Sequence, residues 1–404
     1  MQRTNLIRAR NKSEVMEIMR KNKSVYRAEL ARQTGLSMPT IMKITDEFVR
    51  SGLVTDVGKG VSSGGKPPMI LELIPDARLF VGMDISGAMF KCIIMDLRGG
   101  IVYRRVRKKS ELDTKEDIIG SIIEFIEETI TESGIDRKKL SGIGIGVPGL
   151  VETQEGRVIT SIDYSWKDMD LRTPLQEHFG MKIYVENSSK VMAIGEKWFG
   201  NGDDSDNFAL VTVGRGIGAA LIINGEIYKG HYNMSGEVGH MVIDPNGPLC
   251  KCGKRGCLET LASGNAIANQ ARQVVSSGQP SIMLDLVGGE KAKIDSDIVF
   301  EAASRGDLLA RKIVDSAIDS LAIGLENLIC LFDCELIVLT GYVVKDNEYL
   351  VERVKSQINE TRSLYYGKMP VEVKLSTMGE EASVVGAATL PLRQLVNSGD
   401  LAAN

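Results

Sequence analysis

Along the first 75 residues, apolar positions recur every three or four places; from Leu79 they change to short runs broken by glycine. Val15, Ile18 and Met19 fall on one face of a first helix that follows a basic arm. Ser24 is placed to cap a second helix containing Leu30 and Ala31, which breaks at Gly35. Ser37 reads as the N-cap of a third, with Pro39 in its first turn and Ile41, Ile44 and Phe48 forming a buried stripe that runs on to Arg50. Two helices joined by a glycine-containing turn make a helix-turn-helix. The pattern then shortens to Leu53–Thr55 and Met69–Leu73, two strands around a cationic, glycine-rich loop, which predicts a wing.

The body reads as strand, glycine turn, strand: Leu79–Ile85, Ser86-Gly87-Ala88, Phe90–Asp96. A similar unit returns about 130 residues later at Phe208–Val213, with a turn at Gly214–Gly218 and apolar residues to Ile223. Amphipathic segments such as Asp117–Ser133 lie between them. This weak duplication predicts two related α/β lobes facing across a cleft. Gly144-Ile-Gly146-Val-Pro-Gly149 and Gly214-Arg-Gly216-Ile-Gly-Ala219 imitate a dinucleotide fingerprint, but that motif needs a helix to begin inside it. Pro148 prevents this in the first, and the second runs into an Asn224-Gly225 hairpin.

Charge divides the chain. Residues 1–75 carry 13 Lys/Arg against 7 Asp/Glu, and the remainder 36 against 46, so a head of +6 sits on a body of −10. A basic head on an acidic body suits contact between the head alone and a polyanion. Ser37, Pro39, Thr40 and Lys43 on the third helix are the candidates for the major groove. Lys59, Ser62, Ser63 and Lys66 in the wing are candidates for phosphates or the minor groove. With 404 residues, 43% apolar and 25% charged, the chain has room for two to four folding units. It lacks an apolar stretch of the ~20 residues a membrane span needs. A cytoplasmic location is expected, with Cys92, Cys330 and Cys334 as buried free thiols.

His240, Cys250, Cys252 and Cys257 offer three thiolates and an imidazole within eighteen residues. That donor set can close a tetrahedral shell around Zn2+, the glycines among them allowing the tight turns required. Fixing this loop would also fix Glu237 and Glu259, two carboxylates suited to gripping hydroxyls.

Gly236-Glu-Val-Gly-His240 followed by Cys250-x-Cys-Gly-x-x-Gly-Cys-x-Glu259 resembles the signature of the ROK family, bacterial sugar kinases and sugar-responsive transcriptional repressors. The resemblance extends from the winged helix to Gly386-Ala387-Ala388. It implies an α/β fold, a winged helix-turn-helix followed by an actin-like (ribonuclease H-like) two-lobed ROK domain. The expected divisions are a head at 1–76, a small lobe at 77–195 completed by about 386–404, and a large lobe with the zinc site at 196–385. It further implies a homodimer or homotetramer, double-stranded DNA as partner, and a sugar effector held by Asn187, Glu237, His240 and Glu259.

Four departures from the family's kinases point away from an enzyme. Ser188 stands where the kinases carry their general-base aspartate, and lacks its basicity. Asp84-Ile-Ser86-Gly87-Ala88 replaces Asp-x-Gly-Gly-Thr at the first phosphate turn, and Arg215 fills the centre of Gly-Thr-Gly at the second. Tyr342 replaces a glycine on the adenosine side. Arg215 is expected to neutralise Asp84; the alternative is that it receives the phosphate of a phosphorylated sugar. The rival reading of the whole chain is an ATP-dependent sugar kinase with a regulatory head.

Overall fold

The computed structural model describes residues 2–59, 69–109, 118–162, 164–367 and 369–398. They divide into two compact units, residues 1–191 with 383–404, and residues 192–382.

The first unit opens with α1 (Gln2–Lys21), β1 (Val25–Tyr26), α2 (Arg27–Thr34), α3 (Met38–Arg50), β2 (Val54–Lys59) and β3 (Met69–Leu73). The strands form a sheet in the order β1-β3-β2. Ile41 and Phe48 are fully buried and Ile44 nearly so, while Lys43 is exposed, because spacings of three and four put the first three on one helical face. Ser24 does not cap α2: the short strand β1 intervenes, since Val25 pairs with Leu71, and the cap position falls to Tyr26. Lys12 and Arg8 of α1 both pair with Glu47 of α3, and Arg27 reaches Thr45 at 2.9 Å as well as Asp46. These contacts fix the outward face of α3 relative to the rest of the head.

The same unit continues with β4 (Leu79–Asp84), β5 (Met89–Asp96), β6 (Ile101–Lys108), α4 (Ile118–Ser133), β7 (Leu140–Val147), β8 (Leu150–Glu152), β9 (Arg157–Ser161), β10 (Trp166–Asp170), α5 (Arg172–Phe179), β11 (Ile183–Asn187) and α6 (Ser188–Phe199), which runs on into the second unit. Its main sheet has the order β11-β7-β4-β5-β6, with β7 parallel to both β4 and β11. Parallel strands buried on both faces read as continuous apolar runs, as Leu79–Met83 and Ile143–Val147 do. One face carries the core of Val81, Cys92, Ile122, Phe125 and Ile145. The other receives the last helix, numbered after those of the second unit: a Cβ on Gly144 would lie 1.8 Å from the Ala387 carbonyl oxygen, so only glycine permits this approach.

The second unit holds β12 (Phe208–Val213), β13 (Ile217–Ile223), β14 (Glu226–Tyr228), α7 (Leu258–Ala262), α8 (Gly264–Ser276), α9 (Met283–Leu286), α10 (Ser296–Ser304), α11 (Leu308–Phe332), β15 (Leu336–Thr340), α12 (Glu348–Tyr366) and β16 (Glu372–Leu375). The chain then ends in α13 (Ala382–Ser398), the helix seated on Gly144. The second sheet has the order β14-β13-β12-β15-β16. In both units an antiparallel hairpin is followed by parallel strands, so the duplicated pattern corresponds to duplicated topology. The fingerprint-like segments lead into strands, β8 and β13, rather than helices. Cys92 and Cys334 are buried, and burial pushes their thiols up to about 12 and about 11. Cys330 is exposed instead, because it lies on the outward face of α11 beside the 73%-exposed Leu331. No helix of the described residues is long and apolar enough to cross a membrane.

Candidate metal centre and ligand site

His240 closes a single helical turn (Val238–His240), and the three cysteines follow on a loop that doubles back on it. Short bridges pair Val242 with Cys257 and Leu249 with Arg255, and the Ile243 N–H donates to the Gly256 carbonyl at 2.8 Å. This folding brings the four donors together: their ligand atoms all lie within 4.8 Å of one another. Cys250 Sγ is 3.6 Å from His240 Nδ1, and Cys252 Sγ is 3.6 Å from Cys257 Sγ. A tetrahedral zinc site with Zn–S bonds of about 2.3 Å has edges of about 3.8 Å, close to the two 3.6 Å pairs, so the four donors could hold that ion.

The thiols of the cluster are not equivalent. Burial, and then the neighbouring Cys252 and Cys250, push the Cys257 thiol up to about 12. The Lys254 N–H holds Cys252 below the ordinary thiol range. A divalent cation would favour the thiolate form of both, offsetting the burial that opposes it at Cys257. Use of Nδ1 for the metal leaves Nε2 of His240 for a second partner.

The two carboxylates of this loop differ. Glu237 is exposed and its side chain makes no hydrogen bond or ion pair among the described residues. Glu259 is engaged: Oε2 accepts from the Ile217 N–H at 3.1 Å, and Oε1 lies 3.5 Å from Lys251 Nζ. Gly216 is what lets this carboxylate in, since a Cβ there would stand 2.2 Å from Oε2. Lys251, between two candidate ligands, was not foreseen from sequence. Its signal was a cation eight places before a carboxylate, a spacing that says nothing until the loop folds back.

Asn187 sits at the end of β11 in the first unit. Its Oδ1 accepts from the N–H groups of Ser189 and Lys190 at 2.9 and 3.3 Å, capping α6. Its Nδ2 donates to the Gly149 carbonyl at 2.9 Å, leaving one amide hydrogen. Glu186 is buried, accepting from Thr153 Oγ1 and from the Asn187 N–H. Ser188 begins α6, and Asp84 Oδ1, buried at the end of β4, accepts from the Ser86 N–H at 2.9 Å.

Arg215 is exposed at the tip of the β12–β13 hairpin and forms no hydrogen bond or ion pair among the described residues. The Tyr342 ring lies 3.6 Å from where a Cβ of Gly214 would be, with its hydroxyl against Gly264 at the start of α8. In the head, Ser37, Pro39 and Lys43 are exposed and Thr40 is half-buried, with 2.9 Å between the Ser37 and Thr40 hydroxyls. Lys59 ends β2; Ser62, Ser63 and Lys66 lie outside the described residues.

A profile of the ROK family matches residues 80–394. The chain belongs to the ROK family. Within it, the protein is 29% identical to a putative xylose repressor of Caldicellulosiruptor sp. (strain Rt8B.4) over 391 residues, 97% of each chain. It is 31% identical to a glucokinase of Thermotoga maritima over 312 residues, 77% of this chain but 96% of the kinase. Among solved structures, a ROK family transcriptional regulator, a homologue of the E. coli MLC protein, superposes with a TM-score of 0.84 at 26% identity, covering 98% of both chains. This ROK protein therefore shares its full length with repressors, and with kinases only a body.

Proposed function

We propose that this protein is a sugar-responsive transcriptional repressor in which a kinase-like body senses a sugar without phosphorylating it. The observation that carries the reading is the full-length match, head included, to repressors of the family. In the head, Ser37, Pro39, Thr40 and Lys43 enter the major groove, and the wing with Lys59, Ser62, Ser63 and Lys66 follows the backbone. A homodimer or homotetramer sets two such heads on a palindromic operator.

In the body, His240, Cys250, Cys252 and Cys257 hold Zn2+ as a structural ion. The remaining amide hydrogen of Asn187, the free carboxylate of Glu237, Nε2 of His240 and the Glu259 carboxylate contact the sugar hydroxyls. Ser188 supplies no general base, and Tyr342 occupies space beside Gly214 that a nucleotide would need, which supports a body that does not turn over ATP. The sugar regulates by population shift, binding the arrangement that does not fit the operator more tightly than the one that does.

Fluorescence titration of an operator fragment with a sugar panel tests this, beginning with xylose, the sugar in the names of its repressor relatives. The expected result is a sugar-specific change in operator affinity in the zinc-loaded protein; if no sugar changes it, the effector role is wrong. A coupled assay for ADP release with the same panel separates the kinase reading, and turnover above background would overturn the role given to Ser188.

A further inference from the structure

The acidic body contains a run of the opposite sign, Arg104-Arg-Val-Arg-Lys-Lys109, five cations in six positions with no carboxylate among them. It occupies the second half of β6, the outer strand of the five-stranded sheet of the first unit, and the residue after it. Side chains alternate across a strand, and here the two sets meet different surroundings. One set packs on the core: Arg105 pairs with Glu128 and Glu132 of α4, Arg107 lies 5.3 and 5.5 Å from the ring centres of Phe90 and Phe125, and Lys109 donates to the Tyr164 hydroxyl. The other set, Arg104 and Lys108, is exposed, with the 40%-exposed Val106 between them. Their strand partners are Ile93 and Met89, which alternate with the core residues Phe90, Cys92 and Ile94, so both cations lie on the face away from α4.

This strand begins beside the head. In the turn that leads into it, the Arg98 guanidinium donates to the Lys23 carbonyl, just past α1, at 2.9 Å. The Leu97 N–H donates to the Pro75 carbonyl, in the segment that leaves β3, at 3.0 Å. The cationic face of β6 therefore adjoins the basic head within one compact unit. Adjacent surfaces of one sign repel each other, and one long polyanion relieves both at once. At about 3.4 Å per residue Arg104 and Lys108 stand about 14 Å apart, the axial rise of about four phosphates along one strand of a duplex. Charges at that separation meet two phosphates rather than one.

We propose that Arg104 and Lys108 form a second contact with operator DNA, by which the body grips backbone phosphates flanking the bases read by the head. Such contacts fix position and carry no sequence information of their own. The proposal rests on the reading of the head as a DNA-binding module and extends that interface to the body.

The test uses the full-length, zinc-loaded protein and a duplex that it selects from a random library, lengthened on each side by about one helical turn, about 10 base pairs, of unrelated sequence. Affinity is titrated by fluorescence anisotropy across a salt series for the parent, for the double variant Arg104→Gln/Lys108→Gln, and for Arg104→Lys. Each phosphate contact contributes about 0.9 to the slope of log affinity against log salt. The double variant is expected to lose about 2 from that slope and to bind more weakly with the same base preference, while Arg104→Lys keeps the slope. Hydroxyl-radical footprinting of the parent reads the contact without any substitution: sugars flanking the selected bases are expected to be protected. An unchanged slope in the double variant, a changed base preference, or flanks cleaved as fast as in free DNA each overturns the proposal. If the slope is unchanged and the double variant self-associates, the cations guard an open sheet edge instead. If the slope is unchanged and the double variant loses binding of polyglutamate, the strand serves an acidic protein. All these failures leave a repressor that holds DNA by its head alone. If the parent selects no duplex at all, the DNA-binding reading fails and this one with it.

Discussion

At the scale of single residues, the chemistry depends on which side-chain atoms are left over after local structure has taken its share. Asn187 gives its oxygen to the first turn of α6 and one amide hydrogen to Gly149, so it is both a cap and a candidate ligand contact. Asn187→Ala is therefore expected to cost about 1 kcal/mol of stability from the lost cap, together with the sugar response; denaturant midpoints and operator titration measure the two. An unaltered sugar response would reduce Asn187 to a cap alone. Cys257 is fully buried with the other three donors around it. Cys257→Ser is expected to lower bound zinc below one per chain and to destabilise at the upper end of single-residue effects, about 3–4 kcal/mol, read by elemental analysis and thermal melting. Full metal content in that variant would remove Cys257 from the ligand set.

At the scale of elements, α3 is held by charges as well as by its buried stripe. Burial raises the Glu47 carboxyl, but hydrogen bonds from Lys12 and Arg8 outweigh it and hold the group below the ordinary carboxylate value. A carboxyl lowered in the folded state contributes stability above its unfolded value and loses it as pH falls through the folded one. Glu47→Gln should therefore melt below the parent at pH 7, and the gap should close on acidification below about pH 4. A gap independent of pH would mean that packing, not charge, carries the contact. Lys43 sits on the exposed face of the same helix, and Lys43→Ala is expected to weaken operator binding. A salt slope reduced by about one identifies a phosphate contact, and relaxed specificity at one base pair identifies a guanine. Undiminished affinity would take Lys43 out of the interface.

At the scale of the whole molecule, two units carry separate cores: one built on Val81, Phe125 and Ile145, the other on Val211, Leu325 and Ile337. The four donors that could hold a metal ion belong wholly to the second. Calorimetry is expected to resolve two transitions, of which a zinc chelator lowers only one, since a ligand stabilises the unit that binds it. A single transition, or two that shift together, would show the units to unfold as one body.

Sequence alone determined what is local or chemically restrictive. The stripe of Ile41, Ile44 and Phe48 specified α3, because 3.6 residues per turn leaves no other way to bury three apolar groups at that spacing. Three thiols and an imidazole on a glycine-rich loop marked out a donor set that could hold a metal ion, because few other donor sets suit a soft cation, and the fold brings those four together. What tertiary structure decided is occupancy and exposure. Glu259 meets the Ile217 N–H 42 positions away in the chain, and Cys330 faces outward although its sequence neighbours are apolar. Pairings between distant segments are set by how sheets and loops close on one another, and no local period encodes them.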